Sequence, residues 1–213
     1  MHHILVYGDS LTWGIIPGTR QRLVFERRWP RVFERELIQR GCDARVIEDC
    51  LNGRRTVWED PFKPGRRGIS GLEQRIEVNS PLSLVVLMLG TNDFQAVHQT
   101  SAWQSAQGVA ALVRAIRRAP IEPGMPAPSI LIVAPPPIRA PGGEMAEKFA
   151  GGQGKCAGAA AAYQQVADEL GCGFFDAGGV IRVSAADGVH LDADQHQILG
   201  RELAPVVVKL LAA

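Results

Sequence analysis

The run Leu82-Ser83-Leu84-Val85-Val86-Leu87-Met88-Leu89 is almost wholly apolar and is stopped by Gly90-Thr91-Asn92-Asp93. A strand with one wet face alternates apolar and polar residues. A run that is apolar at nearly every position needs cover on both faces, as a central strand of a parallel sheet has between two helical layers. Outward from this stretch, four shorter apolar runs read as further strands: Ile4–Tyr7, Ala44–Ile47, Ile130–Ala134 and Gly173–Asp176. Helical patterns lie between them. Trp29, Val32, Phe33, Leu37 and Ile38 recur at helical spacing, and Gly41 stands where such a helix would stop. Further helices are expected over Ser101–Arg118, Gly154–Leu170 and Asp194–Leu211. Strands alternating with helices specify an α/β fold built on a five-stranded parallel sheet.

Residues 1–213 are read as one domain, since 213 residues fall near the usual size of one and no linker or internal repeat divides them. Residues 51–81, rich in Gly, Arg and Pro, and residues 134–154, which begin Ala134-Pro135-Pro136-Pro137, are long for passive connectors and are expected to serve function. A 46% hydrophobic, 21% charged composition excludes general disorder. Lys and Arg number 23 against 22 Asp and Glu, a net charge of +1, so neither nucleic acid nor an anionic membrane is an expected partner. No apolar stretch reaches the roughly 20 residues of a membrane span, and Met1-His2-His3 leads into the first strand without a basic n-region. A cytoplasmic location is therefore expected. Cys42, Cys50, Cys156 and Cys172 are scattered without a C-x-x-C pair, which suggests neither a metal site nor a disulfide framework.

Three polar clusters interrupt this apolar frame. The first strand runs into Gly8-Asp9-Ser10-Leu11-Thr12-Trp13-Gly14, which places Ser10 just beyond the carboxyl end of a parallel strand, where α/β proteins form ligand sites. Asp9 or Ser10 would equally serve as a helix cap. The third strand ends at Asn92 and Asp93, and these too are good capping residues. With the flavodoxin-like strand order 2-1-3-4-5, the two tips become neighbours at the point where the order reverses. Near the C-terminus, Asp187-Gly188-Val189-His190 sets a carboxylate three residues before a histidine. A serine hydroxyl becomes a useful nucleophile when an imidazole takes its proton and a carboxylate fixes the imidazole tautomer. His2, His3, His98 and His196 read as terminal, solvated or core-edge residues.

Together these clusters resemble the motifs of the GDSL, or SGNH, hydrolases: Gly8-Asp9-Ser10-Leu11 the first, Gly90-Thr91-Asn92-Asp93 the third, and Asp187-Gly188-Val189-His190 the last. The resemblance implies a flavodoxin-like three-layer α/β/α sandwich and a serine esterase. In it Ser10 would be the nucleophile, His190 the base and Asp187 its partner. The Ser10 N–H, the Asn92 amide and the N–H of a glycine after the second strand would form the oxyanion hole. Gly53, in Asn52-Gly53-Arg54-Arg55-Thr56, fits that glycine best, though Asn-Gly also makes a plain turn.

More narrowly, the chain is similar to the bacterial arylesterase branch. This implies small aryl or alkyl esters as substrates, acyl transfer to alcohols or peroxide as a side activity, no cofactor or metal, and a homo-oligomer whose loops narrow the site entrance. Trp13 is a candidate wall for the acyl pocket, or simply core. The family also implies carbohydrate deacetylase, thioesterase and lysophospholipase activities as alternatives with the same site. A phosphate- or flavin-binding module is the rival outside enzymes, but no G-x-G-x-x-G or P-loop pattern is present and the Asp187/His190 pair would be left without a role.

Overall fold

The computed structural model describes residues 1–212. Five parallel strands, β1 (His2–Gly8), β2 (Ala44–Cys50), β3 (Leu84–Met88), β4 (Ser129–Ala134) and β5 (Gly173–Asp176), form one sheet in the order β2-β1-β3-β4-β5. The helices are α1 (Ser10–Trp13), α2 (Trp29–Gln39), α3 (Leu72–Asn79), α4 (Ala102–Arg118), α5 (Met145–Lys148), α6 (Gly152–Lys155), α7 (Ala159–Leu170) and α8 (Ala193–Ala212). All five strands and three of the four expected helices are found, with shifts of a few residues at their ends; the helix expected over Gly154–Leu170 is broken at residues 156–158, where Gly158 takes a left-handed backbone, so that Gly154 belongs to α6 and α7 begins at Ala159. The sheet is doubly covered, as the apolar run of β3 requires.

The two covers use alternate residues of the same strands. Ile4, Val6, Leu84, Val86, Met88, Leu131 and Val133 point toward α2 and α8 and pack with Trp29, Phe33, Leu37, Leu199 and Leu203. Leu5, Tyr7, Val85, Leu87, Ile130 and Ile132 point the other way, toward α3, α4 and α7, where Leu72, Ile76, Leu112, Val113, Tyr163 and Val166 meet them. Each such side chain, fully buried, contributes on the order of 1.5–3 kcal/mol. Ile38, expected on the buried face of α2, is instead 52% exposed. A stripe already filled by Trp29, Val32, Phe33 and Leu37 leaves it at the edge.

The residues expected as loops carry structure of their own. Residues 51–81 contain α3, and residues 134–154 contain α5 and the start of α6. A third apolar cluster, Phe94, Ile138, Met145, Phe149, Cys156 and Val189, lies under the second of these segments. It ties that segment to the strand ends. No helix among the described residues is long and apolar enough to cross a membrane.

Candidate active site

The order reversal between β1 and β3 pairs Gly8 with Met88 at the carboxyl ends of the two strands. The chain leaves β1 at Asp9, whose carboxylate caps α1 by accepting from the Leu11 N–H at 3.0 Å. Capping and placing Ser10 are therefore one event: the cap holds α1 so that Ser10 heads it. Ser10 Oγ lies 3.1 Å from His190 Nε2, and His190 Nδ1 lies 2.7 Å from Asp187 Oδ2. The three residues come from opposite ends of the chain and are each at least 95% buried.

Asp187 is also held by backbone. Its Oδ1 accepts from the N–H groups of Val189 and His190 at 3.0 and 2.9 Å, and its Oδ2 from Gly18 at 3.3 Å. Burial alone would raise its pKa, but the His190 ring and these N–H donors outweigh it and hold the carboxyl well below the ordinary range. It is an anion at neutral pH. An anion on Nδ1 calls for a hydrogen there, which leaves Nε2 as an acceptor facing the Ser10 hydroxyl. This arrangement can take a proton from Ser10.

On the other side of Ser10 stands Asn92, in a short turn directly after β3. Its amide is oriented by three neighbours: Nδ2 donates to Asp9 Oδ2 at 3.0 Å and to the Arg54 carbonyl at 3.2 Å, while Oδ1 accepts from Gln95 Nε2 at 2.7 Å. Asp9 is buried, which lifts its carboxyl to about 6 against the opposing pull of Leu11, His190 and Asn92. Gly53 lines the same cavity as Ser10, Asn92 and His190. Its φ of +82° is one that side chains rarely adopt, and its N–H has no hydrogen-bond partner among the described residues. The structure thus brings together Ser10, Gly53, Asn92, Asp187 and His190. Trp13 does not join them: it lines no part of this cavity, and its ring lies against the Arg22 guanidinium, 4.7 Å from the centroid. Ile15, Met145 and Phe149 supply the apolar wall instead.

A frame of buried polar residues that motif reading passes over supports this site. Arg54 donates to Gly8 O, Asp49 O and Asp49 Oδ1, and its guanidinium covers the Tyr7 ring at 3.9 Å. It clamps the ends of β1 and β2 while its own carbonyl faces Asn92. Asp93 accepts from Thr56 N, Thr56 Oγ1 and Ser105 Oγ at 2.9, 2.7 and 2.6 Å, binding the Gly53 loop to α4. Arg55, with no exposed surface, meets Gln95 Oε1 at 2.5 Å and Asp60 Oδ2 at 2.8 Å. The signal for these residues was the pair Arg54-Arg55 beside the Gly53 turn, charged residues that only distant partners could satisfy.

Two cavities open at the site. One of about 40 Å³ holds Ser10, Asn52, Gly53, Asn92 and His190 on its walls. Another of about 280 Å³ lies on the far side of His190, lined by Gly18, Thr19, Arg20, Glu144 and Ala186, with Arg20, Met145 and His190 common to both.

Comparison with known proteins bears on this geometry. Residues 6–198 match the model of the GDSL-like lipase/acylhydrolase family. A carbohydrate acetylesterase family member from Sinorhizobium meliloti is 40% identical, with 100% of each chain covered and a TM-score of 0.93. The inhibitor-bound aryl esterase of M. smegmatis is 34% identical over 99% of this chain and 100% of its own, also at a TM-score of 0.93. No match is found among curated proteins. With the family's model spanning both ends of the site, from the strand before Ser10 to the helix after His190, the chain belongs to the GDSL-like lipase/acylhydrolase family and is a carboxylic ester hydrolase.

Proposed function

We propose that the protein is a serine esterase for short acyl esters, with Ser10 as nucleophile, His190 as general base and Asp187 as its partner. The observation that carries this is the unbroken line Ser10 Oγ, His190, Asp187 at 3.1 and 2.7 Å beside a small cavity. Ser10 Oγ attacks the ester carbonyl while His190 Nε2 takes its proton. The oxyanion that forms faces the Asn92 amide, the Gly53 N–H and the Ser10 N–H. Both Asn92 hydrogens are engaged at rest, so the oxyanion takes a share of the longer bond, that to the Arg54 carbonyl. His190 returns its proton to the leaving alkoxide, which departs from the side of the 280 Å³ cavity. Water, deprotonated by His190, then frees the acyl group; an alcohol in its place would give transfer.

The cavity beside Ser10 is small, about 40 Å³. This favours short acyl chains. The larger cavity has room for an aryl or a sugar alcohol, and it supports a carbohydrate acetylesterase reading as the second choice. The test is hydrolysis of p-nitrophenyl acetate and of acetylated xylan by the wild type beside Ser10→Ala, with no metal added. Turnover of either that vanishes in Ser10→Ala supports the reading, and equal turnover by the two proteins overturns it.

A further inference from the structure

The chain carries a net charge of only +1, yet charge is unevenly placed around Ser10. The residues lining the 40 Å³ cavity include three cationic ones, Arg20, Lys63 and Lys148, against one acidic one, Asp60. The cations arrive from three separate segments: the one after α1, the one between β2 and α3, and the end of α5. None of the three side chains forms an ion pair among the described residues. Asp60 does not neutralise them, because it is already taken. Its Oδ1 accepts from the N–H groups of Phe62 and Lys63 at 2.9 and 3.1 Å, and its Oδ2 pairs with buried Arg55 at 2.8 Å.

These charges act on one another. The Lys148 ammonium is held below its ordinary pKa first by partial desolvation and then, against the pull of Asp60, by Arg20, Arg55 and Lys63. All three residues are exposed, so water and salt screen them at rest, and an anion bound at the cavity would meet the three together. Their position also decides which part of an ester they would meet. Lys63 and Lys148 line the cavity beside Asn92 and Gly53, where the proposed mechanism puts the acyl group; they do not line the 280 Å³ cavity, which holds Glu144.

We propose that the preferred substrates carry a second, anionic group on the acyl part, as the monoester of a short dicarboxylic acid does, with that carboxylate held by Arg20, Lys63 and Lys148 while the ester carbonyl lies at Ser10. The inference rests on the serine esterase reading above. It goes further by fixing a substrate class.

The experiment compares kcat/KM for monomethyl succinate with that for its neutral isostere, methyl succinamate, followed in a pH-stat at low salt and in 1 M NaCl. The acid is expected to be preferred at least about tenfold at low salt, the range of electrostatic focusing in a charged cleft. The preference should shrink severalfold in 1 M salt, where the screening length is only about 3 Å. Lys63→Gln combined with Lys148→Gln should collapse the ratio toward one, and Lys148→Glu should lower it below wild type. A wild-type ratio near one, or a preference that survives both the salt and the double variant, overturns the inference. p-Nitrophenyl acetate, with Ser10→Ala beside the wild type, keeps the two readings apart. If Ser10-dependent turnover of that neutral ester persists while the ratio is flat, only the anionic substrate class fails. If it is absent, the esterase reading fails as well.

Discussion

At the scale of single residues, the proposed mechanism separates groups that move protons from groups that hold charge, and the two should fail differently. In Asp187→Asn the new side chain would turn an N–H toward His190 Nδ1 if Oδ1 goes on accepting from Val189 and His190. The imidazole would then carry its hydrogen on Nε2, facing Ser10, and could not accept the serine proton. A loss of about 10⁴ in kcat is expected, the size seen for this change in another Ser-His-Asp enzyme. On that mechanism Asn92→Ala removes one oxyanion donor and leaves the proton path whole, so kcat should fall by about 10²–10³. Steady-state rates on p-nitrophenyl acetate would check both, and an Asn92→Ala variant as fast as wild type would remove Asn92 from the mechanism. Ser10, Asn92, Asp187 and His190 were legible because each lies in a short motif whose spacing is local. Trp13 stayed open between pocket wall and core for the converse reason: its neighbour Arg22 is nine residues away, and nothing near Trp13 in the sequence says which way its ring turns.

At the scale of elements, legibility followed the density of apolar residues. β3 is buried on every residue and could be read with ease. α3 went unread because only Leu72 and Ile76 of its eight residues are buried, a single pair at helical spacing among Gly, Arg and Pro. Contacts between elements were less legible still. His196 on α8 is 1% exposed, and its Nδ1 accepts the Trp29 N–H of α2 at 3.3 Å. Burial lowers its pKa to about 4, with Arg28 and His190 acting in the same direction, so the ring stays neutral and keeps this bond. One turn later on the same face Gly200 lets α2 and α8 touch: a Cβ there would stand 2.7 Å from Val32 Cβ and 2.8 Å from the Trp29 carbonyl. Neither is the end of a flexible chain, so the helices must part. Gly200→Ala, which would ordinarily help an exposed helix, should instead destabilise the protein by about 1–3 kcal/mol. Urea unfolding would measure it, and a neutral or stabilising result would mean that the two helices pack with slack.

At the scale of the whole molecule, the polar frame makes stability depend on pH in a direction that can be worked out. Asp93 is wholly buried, and desolvation raises its carboxyl to about 6 despite the donors Ser105 and Thr56 and nearby Arg55. The folded chain therefore holds this proton more tightly than the unfolded chain, whose aspartates titrate near 4. Between those two values the folded state binds more protons, so stability falls as pH rises from about 4 to about 6, by roughly 3 kcal/mol from this group. Asp187 works oppositely and lower down: its depressed pKa adds stability that is complete above the ordinary carboxylate range and is lost as pH falls beneath it. Asp93→Asn isolates the first effect. The variant keeps the shape, Oδ1 can still accept from the Thr56 N–H, and the hydroxyls of Thr56 and Ser105 can rotate to accept from the new amide. Unfolding free energies of wild type and variant, measured in urea at intervals between pH 4 and pH 7, should diverge as pH rises, the wild type losing about 3 kcal/mol more. Asp9, raised in the same way, is common to both proteins and drops out of the difference. Parallel curves would mean that Asp93 titrates in the folded protein as it does in the unfolded chain, with its three donors and Arg55 offsetting the whole cost of its burial.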